Sequence, residues 1–170
     1  MPLELTPDVT VRQDANGRVR QLSHPHKQYR PAPVDRLAAG MTSQLTPRAL
    51  AEHYLRDAAS VFGFASEQTT NFAATTGINP SDAGVELRFK EEKAVGSAVT
   101  VAYDQTVFGL PIWDAGVTVR IDRAAMGVTG SHNAGHYDIQ PHRPASTAAY
   151  LPHLMDLDKV RRVLGLQPSD

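Results

Sequence analysis

Seven histidines are the side chains best suited to chemistry in this chain of 170 residues, which has no cysteine. His132 and His136 stand four apart, with Asp138 and His142 just beyond. On a helix that spacing would set two imidazoles on one face, as a metal requires, and in a strand positions four apart also share a face. Asn133-Ala134-Gly135 between them opposes a helix and favours a turn, so a surface loop with solvated histidines is the stronger reading. A metal- or small-molecule-binding protein would rest on this pair. His24-Pro25-His26 has weaker claims, because its neighbours read as mobile. Ser131-His132 adjacency is not a catalytic triad, whose members meet through the fold, and no Gly-x-Ser-x-Gly elbow or phosphate loop occurs. Glu91-Glu92 reads as a solvated polar turn. The expectation is a protein with no catalytic, cofactor-binding or metal-binding residues.

The bulk composition narrows the classes further. Without cysteine there are no disulfides, thiolate metal sites or cysteine nucleophiles. Seventeen Lys and Arg against eighteen Asp and Glu give a net charge of −1, with none of the basic excess that nucleic-acid binding favours. No apolar run approaches the roughly 20 residues of a membrane-spanning helix. Met1 to Asp8 has neither the basic start nor the apolar stretch of a signal peptide.

The elements that must position any site can be read from spacing. Val9–Leu22 has apolar positions either side of Asn16-Gly17, the signature of a hairpin turn. Ser23 to Pro33 contains three prolines and reads as an extended connector. Thr46-Pro47 is a helix start, an N-cap hydroxyl followed by proline in the first turn. Leu50, Tyr54, Ala58 and Val61, widened by Ala51, Leu55 and Phe62, make an apolar stripe that ends at Gly63. After a loop-like stretch from Thr69 to Gly84 the period changes to two. Val85, Leu87 and Phe89 alternate with Glu86, Arg88 and Lys90, which should form a wet face. Glu91-Glu92-Lys93 reads as a connection. Val99, Val101 and Tyr103, then Val117, Val119 and Ile121, give two more strands, and Val128–His132 a weaker one. Consecutive strands without intervening helices imply an antiparallel meander, so the fold class is α+β, one amphipathic helix across a curved sheet. Leu154, Leu157, Val160 and Leu164 predict a C-terminal helix. The expected division is 1–44 (hairpin and connector), 45–140 (helix plus sheet) and 141–170 (linker and C-terminal helix).

The segment from Val99 to Asp122 carries the most information. It reads as two strands around a turn, with Gly109 for an angle that a Cβ would resist and Pro111 at a strand start or edge. Gln105 is placed to bind backbone where the ladder breaks, and Trp113 is large enough to cap one end of the sheet. Tyr103, Gln105, Gly109, Leu110, Pro111, Ile112, Gly116, Val117, Val119 and Ile121 together resemble the propeptide module of fungalysin- and thermolysin-type metallopeptidases, which is related to PepSY domains. The helix with Ala51, Tyr54 and Leu55 sits where that family places an Ala-x-x-Tyr/Phe-Leu helix. The resemblance spans about Leu45 to Asp138. Three features depart from it: Asp122 to Gly127 is longer than the family's Asp-x-x-Gly connection, no signal peptide precedes the motif, and His-Glu-x-x-His is absent.

The resemblance implies a cystatin-like or PepSY-like fold in an exported, non-catalytic module that assists folding of a zinc metallopeptidase and suppresses its activity. Its partner would be a protein, and Tyr103, Gln105, Gly109, Pro111 and Trp113 would shape the hairpin that docks. The alternative is an interaction or assembly domain forming the N-terminal part of a larger protein.

Overall fold

The computed structural model describes residues 2–32, 45–74 and 84–141. They form one six-stranded sheet with a helix across one face. The strands are β1 (Thr10–Gln13), β2 (Val19–Ser23), β3 (Val85–Val95), β4 (Ala98–Val107), β5 (Leu110–Asp122) and β6 (Gly127–Asn133). The helix α1 runs Pro47–Phe62 and is followed by a 3₁₀ turn, Ser66–Thr69. All strand pairs are antiparallel, in the order β1-β2-β6-β5-β4-β3. The predicted helix on an antiparallel meander is therefore present. The N-terminal hairpin, set apart by the division at residue 44, belongs to the same sheet, because β2 pairs with β6 through Leu22 and Ser131. The expected C-terminal helix and His142 lie outside the described residues.

The ends of α1 follow from its sequence. Thr46 Oγ1 accepts from the Ala49 amide at 3.1 Å, Pro47 supplies a fixed φ, and Gly63 closes the helix at φ 72°. Its buried stripe of Leu50, Ala51, Tyr54, Leu55, Ala58 and Phe62 packs on Leu22, Leu87, Val99, Val101, Tyr103, Val117, Val119, Ile121 and Val128. Those strand residues are the ones that alternation singles out, since one face of a half-wet strand recurs every second position.

Three expectations need correction. Glu91-Glu92-Lys93 is not a connection but the middle of β3, which continues to Val95 paired with β4. Backbone pairing with β4 holds these residues in a strand whatever the polarity of their side chains. The face carrying Glu86 and Arg88 is not wet: both are buried and form an ion pair at 2.6 Å, so only Lys90 of that trio is exposed. A buried pair of this kind can persist because the attraction between the charges offsets much of what their desolvation costs.

The connector is the third correction. His24 is buried and fixed in a hydrogen-bonded chain, where the sequence offers it only a weak claim to a role. Its Nε2 lies 3.2 Å from the Tyr54 hydroxyl, which is 2.9 Å from Ser131 Oγ, so connector, helix and β6 share one polar chain. Tyr29 stacks edge-on against Tyr54, and its hydroxyl donates to Asp57 Oδ2 at 2.7 Å and lies 2.8 Å from His53 Nδ1. Burial holds the His24 imidazole below its ordinary value of 6.5. The folded protein therefore favours neutral His24. Below pH 6.5 the unfolded chain binds a proton that the folded one refuses, until pH passes the depressed folded value. Stability is thus expected to be full above pH 7 and to fall towards pH 5. Thermal melts of His24→Gln should show a flatter pH dependence over that window. An unchanged slope would mean that His24 does not carry it.

Candidate functional site

The candidate site is the arm formed by β4 and β5, where the sequence concentrates its unusual residues. The strands turn through Phe108 and Gly109, both with positive φ (51° and 79°), as a two-residue hairpin of matching twist demands. Gly109 takes that angle without strain, as expected. Pro111 is the second residue of β5 and pairs with Thr106. It lies at the strand start, where its missing N–H matters least.

Beyond Pro111 the ladder breaks. Thr106 faces Pro111 and Asp104 faces Gly116, so residues 112–115 of β5 stand opposite Gln105 alone. Asp114 turns the chain at φ 53°. This wide bulge pushes Ile112, Trp113 and Asp114 outward, Ala115 turns back to be buried, and the ladder resumes at Gly116. Gly116 has a second requirement. A Cβ there would collide with the carbonyl oxygen of Tyr103 on the adjacent strand.

Gln105 performs the role foreseen for it. It is 1% exposed, its Nε2 donates to the His136 carbonyl at 2.8 Å, and its Oε1 accepts from the His136 amide at 2.8 Å. The amide side chain thus substitutes for a missing strand partner and ties the arm to the segment after β6. The Ala134 amide donates to the Gly116 carbonyl at 2.9 Å beside it. Tyr103 anchors the arm from below: buried, edge-on to Phe72 at 5.2 Å and to Phe89 at 6.1 Å, with its hydroxyl 3.5 Å from the Arg48 carbonyl. Burial raises its phenol well above the ordinary value.

Trp113 does the opposite of what the sequence suggests. It caps nothing and is 92% exposed. The bulge explains this, because residues 112–114 leave the ladder and no longer alternate into the core. With Leu110, Pro111 and Ile112 it makes an apolar tip on a rigid base. One wall of that tip borders a shallow depression of about 580 Å³ over Ala102, Gly116 and Ala134 on the face of the sheet away from α1.

The histidine stretch does not assemble into a cluster. His132 and His136 are both exposed, and Asp138 is bonded to Arg18. Among the described residues no three His, Asp or Glu side chains gather as metal ligands would. The sequence reading missed the bulge, the partner of Gln105 and the row of polar residues next to the depression. The signal for the bulge was Pro111-Ile112-Trp113, which breaks a period of two.

Among the described residues no helix is long and apolar enough to cross a membrane. Comparison with protein-family models, curated proteins and solved structures finds no match to this chain.

Proposed function

We propose that the chain is a non-catalytic, propeptide-like module that binds a zinc metallopeptidase, assisting its folding and restraining its activity, with the β4–β5 arm as its docking element. The observation that carries the reading is Trp113: a large apolar side chain 92% exposed on an arm held by Gln105, Gly116 and Tyr103. Exposed aromatics on pre-organised supports are typical binding hot spots, since little ordering entropy is lost on docking. The residue pattern of Tyr103, Gln105, Gly109 and Pro111 adds the family likeness.

Titration of thermolysin-type zinc metallopeptidases with the whole chain tests this. Dose-dependent inhibition is expected. Trp113→Ala should weaken it roughly thirtyfold, the equivalent of about 2 kcal/mol. The same substitution should leave the melting temperature almost unchanged, as surface changes do. Inhibition absent across the panel, or insensitive to Trp113, overturns the reading. A chain that instead forms stable assemblies, lost in Trp113→Ala by sedimentation, would be an interaction domain.

A further inference from the structure

Across the sheet, the open face carries two neighbouring rows of side chains that neither the core nor the arm requires. One row runs Gln21, His132, Thr118, Ala102, Glu91; the next runs Ser23, Gly130, Arg120, Thr100, Lys93. Arg120 is exposed at the centre of the second row. Gly130 beside it has no side chain, which leaves a depression of about 520 Å³ bordered by Arg120, Thr100, Thr118, Gln21 and His132.

The cations along β3 and the β1–β2 hairpin are largely matched: Lys90 with Asp104, Lys93 with Glu91, Arg88 with Glu86, Arg20 with Asp14. Arg120 differs. Among the described residues its guanidinium has no ion pair or hydrogen-bond acceptor, and the Thr100 and Thr118 hydroxyls beside it are also unengaged. Asp122 also borders this hollow, with its Oδ1 accepting from the Ala125 amide at 2.8 Å in the β5–β6 turn and no ion pair to Arg120. A free guanidinium flanked by two hydroxyls and an imidazole is a donor set for a carboxylate.

Thr118 and His132 also border the apolar depression under Ile112 and Trp113. The two hollows therefore adjoin across the Thr118–His132 pair, the one at the arm mainly apolar and the other carrying Arg120, and we treat them together as one trough. Gly116 and Arg120 are four positions apart on one strand, about 13 Å at ~3.3 Å per residue. We infer that this trough takes an extended peptide segment of a protein partner, with an apolar side chain over Gly116 and a carboxylate four residues away on Arg120. In an extended chain, positions four apart project to the same side, so one segment satisfies both hollows. The inference rests on the docking role proposed for the arm and specifies the chemistry of what docks.

Trp113 is the sole tryptophan, so its emission reports on the apolar end of the trough. The probes are two extended peptides, acetyl-Leu-Ser-Gly-Ser-Glu-amide and the same peptide ending in Gln, with their order-reversed counterparts to cover both directions. The Glu probe of one direction should shift Trp113 emission to the blue and bind roughly fivefold more tightly than its Gln counterpart. In Arg120→Gln that preference should vanish while the Gln probe binds as before. Equal binding of Glu and Gln probes to the natural chain, or no shift with any probe, overturns the trough. Peptidase inhibition that depends on Trp113 but is indifferent to Arg120→Gln overturns the carboxylate contact and leaves the docking arm standing.

Discussion

Gly116→Ala is expected to lower the melting temperature by roughly 6–12 °C, although it adds a single methyl group. The methyl would be built into the carbonyl oxygen of Tyr103, which is backbone and cannot rotate away. Relief requires β4 and β5 to separate where Asp104 faces Gly116 and where the Ala134 amide meets the Gly116 carbonyl. Overpacking of this kind costs about 3 kcal/mol at the upper end of its usual range, and each kcal/mol shifts the midpoint of a chain this size by about 2–4 °C. The arm would also lose its shape, so inhibition should fall along with stability. Calorimetry checks the first effect. A Gly116→Ala protein melting with the natural chain would mean that the strands do not cross this closely.

Tyr54→Ala should be more damaging still, destabilising by roughly 4–6 kcal/mol. Tyr54 is fully buried at the centre of the face between α1 and the sheet. Removing its ring leaves a cavity, and removing its hydroxyl strands His24 and Ser131 without their shared partner. Since domains are stable by about 5–15 kcal/mol, this chain would sit near its unfolding transition at room temperature. Tyr54→Phe separates the two terms, keeping the ring and losing only the hydroxyl, at about 1–3 kcal/mol. Urea melts of the pair give the comparison. Equal losses in both variants would place the whole effect on hydrogen bonding and contradict the packing argument.

The parts of the fold legible in the sequence are those with a local cause. Thr46, Pro47 and Gly63 set helix ends through their own backbone and side-chain chemistry. Val99, Val101 and Tyr103, like Val117, Val119 and Ile121, declare a buried face by repeating every second residue. Gln105 was legible for a similar reason: a long amide beside a broken ladder needs backbone to bind. The illegible parts depend on partners distant in the chain. Nothing near Glu91 says that β4 will hold it in a strand, and nothing near His24 says that Tyr54 and Ser131 will bury it. Trp113 misleads because size suggests burial, whereas position on a bulge decides exposure. In the sequence Arg120 is one more polar residue on an alternating strand. Its distinction lies in what neighbours on other strands lack, Gly130 above all, and sequence order does not display that.

The pairing of β2 with β6 has a consequence during synthesis. Leu22 meets Ser131, more than a hundred positions later in the chain. At translation speeds of about 5–20 residues per second, the first hairpin emerges roughly 5–20 s before the strand that completes it. Throughout that interval its Leu22 side and one row of amides and carbonyls face solvent or chaperone. The described sheet is therefore sealed at the seam between β2 and β6, and a ribosome stalled before residue 127 would hold a sheet that is still open.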